Sequence, residues 1–368
     1  MPIYMDLHIV PGVTPKEVAE AHSHDVKIQD EFCCKTMTYW IDEDKGSVFC
    51  LIEAPDRESV REMHKKAHGL IPNEIIEVNS SVVESFLGRI CDPETFNKTT
   101  ESNLKVFSDP AFRIILVTKA LDARLLQLAL GKEKTHELLL LYNTIIREQA
   151  GNFEGSEVDR REEGFILSFV SVTKAVECAL AIQKRLHVAA ELIGLRIGLH
   201  AGVPVNKSNE LFGTTISLAR YLCNIGKDNQ IILSSIVRNL YKENDIYAIG
   251  GRSDIRWLTA PEENFLETLI NTLGEHWRDP QFGVLDFCKI MSISKPQLYR
   301  KSIAVTGMSP NSLLREYRLL RSLDLLRNED RNISQITFDT GFSSPSYFTK
   351  CFQKRFGLQP QVYLKTLV

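Results

Sequence analysis

Ile333-Ser334-Gln335-Ile336-Thr337-Phe338, a turn at Thr340-Gly341-Phe342, and then Ser343-Ser344-Pro345-Ser346-Tyr347-Phe348-Thr349-Lys350-Cys351-Phe352 decide how the last quarter of this chain folds. A short helix with apolar spacing, a tight turn, and a second helix opening on a Ser cap with Pro in its first turn make a helix-turn-helix. Gly341 falls where the backbone must reverse sharply, so a positive φ is expected there. The same plan occurs upstream. Val284-Leu285-Asp286-Phe287-Cys288-Lys289-Ile290 leads through Met291-Ser292-Ile293-Ser294 into Lys295-Pro296-Gln297-Leu298-Tyr299-Arg300-Lys301. A helix from Asn311 to about Asn328 is expected to join the two units.

Apolar spacing gives each second helix one buried face. Leu298 with Ile303, and Phe348 with Phe352 and Phe356, are expected to point inward. The opposite faces carry Ser294, Lys295, Gln297, Tyr299, Arg300 and Lys301 in the first unit, and Ser343, Ser344, Ser346, Tyr347, Thr349, Lys350 and Lys354 in the second. Arg, Lys, Gln, Ser and Thr reach phosphates and base edges from a helix in a major groove. These residues are therefore the candidate contacts to double-stranded DNA. One such pattern also fits a solvated helical bundle, but two in tandem, each with a polar-basic second helix, favour nucleic acid. Charge agrees. Gln281 to Val368 holds 13 Lys and Arg against 6 Asp and Glu, and the remaining residues hold 31 against 41. The net charge of −3 therefore conceals a basic end on an acidic body, the electrostatic footprint of a nucleic-acid module joined to something else.

This region resembles the AraC/XylS family of bacterial transcription regulators over roughly its last hundred residues. The words that carry the resemblance are Gly341-Phe342-Ser343-Ser344-Pro345-Ser346-Tyr347-Phe348 and Phe352-Gln353-Lys354-Arg355-Phe356-Gly357-Leu358-Gln359-Pro360. Val362-Tyr363-Leu364 matches the family's closing segment, although Leu364 stands where an Arg is common. The resemblance implies two units entering successive major grooves on one side of a duplex. A connector of roughly 25 Å, at about 1.5 Å per residue, would separate them by most of a helical turn. A homodimer and contact with RNA polymerase are further expectations.

At 368 residues the chain has room for two or three domains. With 43% hydrophobic and 25% charged residues its composition is that of a soluble globular protein. The N-terminus lacks a basic-then-apolar signal segment. The run Leu138 to Leu141, with Ile145 and Ile146 beyond, is too short to span a bilayer, so no membrane partner is expected. Eight Cys without a CxxC pair indicate neither a disulfide framework nor a zinc ribbon, and a reduced cytoplasmic setting fits.

Residues 1 to about 92 read as βαββαβ, the ferredoxin-like order. Ile3 to Ile9 alternates as a strand, and Thr14-Pro15-Lys16-Glu17 starts a helix to about Glu31. Thr36 to Ile41 and Gly46 to Glu53 form a hairpin, Asp56 caps a helix ending at Gly69, and Glu74 to Asn79 is a strand. Five of the nine His lie here: His8, His22, His24, His64 and His68. His64 and His68, four apart on one helix, share a face. With His22 from the neighbouring helix they are candidate ligands for nickel or zinc, against the alternative of half-buried His making hydrogen bonds. His8 and Asp6 alternate with the apolar Met5 and Leu7, which puts them on the other side of the sheet. His8 would then join only through a partner chain or a bend. The module resembles a family of small ferredoxin-like proteins with a nickel-binding bacterial member. The matching words are Ala21-His22, Tyr39-Trp40, Phe49-Cys50-Leu51-Ile52-Glu53-Ala54-Pro55 and His64-Lys65-Lys66-Ala67-His68-Gly69-Leu70.

Asp92 to Ser102 is polar and without an apolar period, as in a flexible connection. Beyond it, Phe112 to Val117 reads as a buried strand, Glu133 to Gln149 as a helix, Glu154 to Val170 as a hairpin, Val172 to Leu186 as a helix and Leu195 to Ala201 as a strand. This stretch resembles the catalytic domain of class III nucleotide cyclases. It does so through Val158-Asp159-Arg160, Gly164-Phe165-Ile166-Leu167-Ser168-Phe169, Ala175 to Gln183, Arg196-Ile197-Gly198-Leu199-His200-Ala201-Gly202 and Leu211-Phe212-Gly213. Cyclisation uses two carboxylates to hold metal ions against the triphosphate. The resemblance puts Lys119 at the first carboxylate and Glu163 at the second, with Ser217 and Tyr221 at the charge-stabilising pair. Arg220 is one residue out of register, which on a helix turns it about 100° away. A lysine at a metal-ligand position repels the ion, so no catalysis is expected.

The expected protein is multidomain, α/β and all-α. A ferredoxin-like domain spans 1–92, a linker 93–110, a degenerate cyclase-like domain 111–255, and an all-α tandem helix-turn-helix 260–368. Together they read as a cytoplasmic, DNA-binding transcription regulator responding to a metal ion or small-molecule effector, with the middle domain dimerising or relaying. The alternative is a nucleotide cyclase, or a nucleotide-binding sensor, fused to a DNA-binding module.

Overall fold

Alternation in Ile3–Ile9 produces strand β1, and Thr14 then caps helix α1 (Pro15–Ile28) through a reciprocal box. The Thr14 N–H donates to Glu17 Oε2 at 2.9 Å, and the Glu17 N–H returns to Thr14 Oγ1 at 3.3 Å. In the computed structural model, which describes residues 1–93, 97–98, 104–161, 164–205, 209–241, 253–327 and 332–365, β2 (Lys35–Asp42), β3 (Ser47–Glu53), α2 (Arg57–Ala67) and β4 (Glu74–Val78) complete the first unit. Its antiparallel sheet runs β2-β3-β1-β4. A further helix, α3 (Ser80–Leu87), was not expected from the sequence.

This sheet is buried on both faces. Tyr4 lies with Val18, Ala19, Val60 and Met63 under α1 and α2. Met5, Leu7, Phe49 and Leu51 join α3 and Ile115, Val117, Ile166 and Phe212 of the next domain in a second apolar cluster. Asp6 and His8 therefore face α1 and α2, which corrects the expectation that they lie away from the helices. The alternation was read correctly. What it lacked was the apolar cover on the second face, which let the helices take the face carrying the polar residues.

The connection is less free than its composition suggests. β5 (Asn97–Lys98) pairs with β6 (Lys105–Val106), and Phe107 stacks on Tyr39 with ring centroids 4.1 Å apart. The middle domain follows as β7 (Arg113–Lys119), α4 (Ala123–Leu130), α5 (Lys132–Asn152), β8 (Ser156–Arg161), β9 (Gly164–Phe169), α6 (Val172–Arg185), α7 (His187–Ile193), β10 (Arg196–Gly202), α8 (Gly213–Ile225), β11 (Gln230–Leu233), α9 (Ser235–Leu240) and β12 (Ile255–Trp257). Its sheet runs β12-β11-β10-β7-β9-β8. The part β10-β7-β9-β8 has the strand order of the first sheet, so two ferredoxin-like layers stand in tandem. Helices α5 and α6 cover one face through Ile145, Ile146, Val176, Ala179 and Ile182, and α8 lies on the other.

The C-terminal region is helical: α10 (Ala260–His276), α11 (Val284–Ile290), α12 (Lys295–Thr306), α13 (Pro310–Leu326), α14 (Ile333–Asp339), α15 (Pro345–Phe356) and α16 (Pro360–Lys365). One apolar cluster holds α10, α11 and α12 against Leu222, Ile225 and Leu258 of the middle domain. Another holds α14, α15 and α16 around Leu319, Leu323 and Leu326 of α13, with Leu125 of the middle domain joining. Arg318 of α13 ties the halves together by donating to the carbonyls of Trp277 at 2.8 Å and Asp279 at 2.6 Å. Gly341 has φ +76°, as its turn requires, and a Cβ there would stand 2.5 Å from the Trp277 carbonyl oxygen.

Candidate functional site

Two places in the fold gather the chemistry. In the first domain, β1 presents Asp6 and His8 toward α2, β3 presents Cys50 opposite Asp6 in the strand register, and α2 presents His64. One ligand atom from each of these four buried side chains lies within 4.8 Å of the others. His64 is the centre. Its Nε2 is 2.8 Å from Asp6 Oδ2, and its Nδ1 is 3.1 Å from Asp25 Oδ1 and 3.0 Å from His68 Nε2. Asp25, His64 and His68 form a second, overlapping group. Burial opposes ionisation of Asp6 and Asp25, but the charge and hydrogen bonds of His64, helped by His8 and His68, outweigh it and hold both carboxyls below the ordinary 3.8. Burial also opposes the His64 imidazolium, yet Asp6 and Asp25 keep it charged, pushed up to about 10. Burial, with Asp6 and Asp25 nearby, raises the Cys50 thiol well above 9.0.

Imidazole, carboxylate and thiol donors suit a divalent transition ion such as nickel or zinc, and not the all-oxygen preference of magnesium or calcium. One orphaned atom fits the same reading: His8 Nε2 is buried without a hydrogen-bond partner and stands 3.4 Å from Asp6 Oδ1. Of the sequence candidates, the structure brings His8, His64 and His68 together. It leaves His22 outside the cluster, with Nε2 3.5 Å from Asp92 Oδ1 and the ring against Tyr39. His22 does line the adjoining cavity of about 270 Å³, together with His8, Asp25, Cys50 and His68. Asp25 and Cys50 were missed as candidates. Asp25 follows His22 by three on α1, and Cys50 becomes visible only through its pairing with Asp6.

The second place is the pair of helices α12 and α15. Leu298, Ser302 and Val305 bury one side of α12, and Phe348 and Phe352 bury one side of α15. Ile303 is 52% exposed, against the inward position expected. A spacing of four from Leu298 selects Ser302, so Ile303 falls toward the open face. Ser294, Lys295, Gln297, Arg300 and Lys301 are exposed and Tyr299 half-buried; on α15 and its lead-in, Ser343, Ser346, Tyr347, Lys350 and Lys354 are exposed, with Ser344 and Thr349 half-buried. Some carry local duties. Ser294 and Gln297 cap α12 reciprocally, and Ser344 caps α15 by accepting from the Tyr347 N–H at 3.4 Å. The connector α13 begins at Pro310 and ends at Leu326, close to expectation.

In the middle domain Lys119 ends β7, with Nζ 3.1 Å from Asn224 Oδ1. Glu162 and Glu163 lie outside the described residues. Arg220 does not turn away: it lines one cleft with Ser217 and Tyr221, since positions three and four apart share a helix face.

Residues 4–78 match the family described as nickel responsive protein SCO4226-like, and residues 287–366 match the helix-turn-helix domain. Histidine kinase P4 of Formosa agariphila is 37% identical over 106 residues, 29% of this chain and 8% of its own length. The HTH-type transcriptional regulator ExsA of Pseudomonas aeruginosa is 44% identical over 57 residues, 16% of this chain and 20% of its own. The chain thus spans a fifth or less of either relative. Among solved structures, SCO4226 from Streptomyces coelicolor is 31% identical, covering 21% of this chain and 94% of that one with TM-score 0.20. The guanylyl cyclase Cya2 is 15% identical, covering 36% and 79% with TM-score 0.31. Residues 287–366 are thus similar to a helix-turn-helix domain, and residues 4–78 are SCO4226-like. Among the described residues no helix is long and apolar enough to cross a membrane.

Proposed function

We propose that the chain is a transcription regulator that grips double-stranded DNA through α12 and α15 and adjusts that grip to a transition metal in its first domain. The observation that carries the DNA half is the tandem arrangement: two capped helices, each buried on its aliphatic or aromatic side, the first exposing Lys295, Arg300 and Lys301 and the second Lys350 and Lys354. Arg300 and Lys350, both exposed, are proposed to contact bases or phosphates. The metal half rests on Asp6, His8, Cys50 and His64, with Asp25 and His68 holding His64 in place. Nickel or zinc would supply a charge at the cluster and release protons from its ligands. The middle domain is read as scaffold and relay, because Lys119 occupies the position where a cyclase needs a carboxylate. A homodimer, contact with RNA polymerase and a cytoplasmic location complete the proposal.

Binding to a cognate promoter fragment should weaken by at least about tenfold between roughly 50 and 200 mM salt, as Lys and Arg displace counterions. Arg300→Ala and Lys350→Ala should each weaken it further at fixed salt. Fluorescence anisotropy with purified protein measures both. Salt-independent affinity, or wild-type affinity in both variants, rules out the contact surface. Elemental analysis of the same protein tests the metal half, and a preparation that takes up neither nickel nor zinc rules it out.

A further inference from the structure

The helix-covered side of the first sheet holds a cavity of about 270 Å³. Its walls come from α1, from β1, β2 and β3, and from the loops that follow β1 and α2. Val13, Val18, Ala21, Val48 and Leu70 make it largely apolar. Its mouth lies where the lining becomes exposed, at Pro11, Gly12, Glu17 and Leu70, and the neighbouring Ile9 and Ile71 also leave apolar side chains in the open. Exposed apolar surface gathered around a concavity marks a binding site more often than a bare surface. Two imidazoles in the lining each carry a buried nitrogen that has no hydrogen-bond partner among the described residues, His8 Nε2 and His22 Nδ1. His8 is only 5% exposed. A buried polar atom left unpaired is costly, and a bound group that pairs it recovers that cost.

The chemistry of the occupant follows from size and charge. An apolar cavity of about 150 Å³ holds a benzene, so this one has room for a single ring with small substituents. An anionic head is disfavoured, because the buried carboxylate of Asp25 lines the same cavity. A cationic head would give up its hydration for a carboxylate whose Oδ1 already serves His64 at 3.1 Å and His68 at 3.3 Å. A hydroxyl is uncharged, donates and accepts, and so suits a neutral imidazole in either tautomer. We infer that this cavity binds a small, uncharged, largely apolar molecule with one hydroxyl, its ring among Val13, Val18, Ala21 and Val48 and its hydroxyl toward His8 and His22. The cavity stands on its own geometry, without the metal. One consequence does rest on the metal reading: His8 belongs to both sites, so nickel held by its ring nitrogen takes away one partner of the hydroxyl, and each ligand weakens the other by the same factor.

Saturation-transfer NMR titrations of the chelator-treated full chain test the cavity, with p-cresol, toluene, 4-methylbenzoate and 4-methylbenzylamine as probes of one shape and four heads. The p-cresol should bind saturably and at least about threefold more tightly than toluene, the share of one hydrogen bond, and more tightly than either charged probe. Ala21→Leu, which fills the cavity, should weaken it by at least about tenfold. Circular dichroism melting establishes that this variant folds, and Leu70→Glu at the exposed mouth serves if it does not. His22→Leu should narrow the gap between p-cresol and toluene. Absence of p-cresol binding at millimolar concentration overturns the site, as does undiminished binding in the cavity variant. Equal affinity for toluene overturns the hydroxyl's role, and tighter binding of a charged probe overturns the uncharged head. Nickel-loaded protein should bind p-cresol more weakly; equal affinity overturns the competition alone. A chain that takes up no metal overturns the metal reading and leaves the cavity's occupant untouched.

Discussion

His64 commits both ring nitrogens to neighbours, Nε2 to Asp6 and Nδ1 to Asp25 and His68, and this fixes how the first domain responds to protons and metal. The signs differ between partners. His64 titrates above its ordinary 6.5, so its stabilisation is complete below 6.5 and is lost as pH rises toward about 10. Asp6 titrates below 3.8, so its share is present above 3.8 and is lost as pH falls further. Chelator-treated protein should therefore melt at progressively lower temperature between pH 6.5 and 10, and His64→Gln should flatten that decline. An unchanged slope in the variant assigns the alkaline loss to other groups. A metal must displace those protons, so its uptake should strengthen with pH over the same range. Asp6→Asn, which removes the charge shared by His8 and His64, should weaken metal uptake by about tenfold or more, read by competition with a chromophoric chelator. Equal affinity would remove Asp6 from the site. His64 and His68 were legible in the sequence because an i, i+4 pair needs only local geometry. Asp25 and Cys50 were not, because their place depends on which helix lies over which strand.

At the scale of elements, the C-terminal helices were the most legible part, since caps, Pro in the first turn and Gly341 act locally. Gly341→Ala tests how tightly the second unit is set. A left-handed conformation costs a non-glycine residue about 1–2 kcal/mol, and the new Cβ would also meet the Trp277 carbonyl oxygen and Arg318 Nε. The loss should exceed the backbone penalty alone. Gly357→Ala is the control: it has φ +81° and open space around its Cβ, so it should lose only that penalty. Urea unfolding of the two variants compares them, and equal losses would refute the crowding argument. Where the sequence reading slipped, as with Ile303, it counted apolar residues without fixing the phase of the helix. The helix α3 escaped because its eight residues are too few to show a period.

For the whole molecule, the sequence indicated three separate modules, whereas the structure joins them through shared apolar clusters that no local pattern announces. The first sheet and the middle sheet close over one cluster, and the C-terminal helices contribute to two others that include middle-domain residues. Polar ties reinforce the last junction. Arg256 donates to the Val305 carbonyl at 2.6 Å, and the Tyr363 hydroxyl donates to Asp122 Oδ2 at 2.9 Å. If metal in the first domain alters DNA binding, the effect must cross these junctions, and weakening one should reduce the coupling more than either binding event. Tyr363→Phe removes one buried hydrogen bond to a carboxylate, about 1.5–3 kcal/mol, while keeping the ring packed on Phe352. The expected result is metal affinity within about twofold of wild type and a smaller metal-dependent change in DNA affinity, since coupling is a free energy separate from either binding constant. Anisotropy titrations with and without nickel, on both proteins, supply the four affinities. A metal effect on DNA binding as large in Tyr363→Phe as in the wild type would show that coupling bypasses this junction and runs through the Arg256 side or α8 instead.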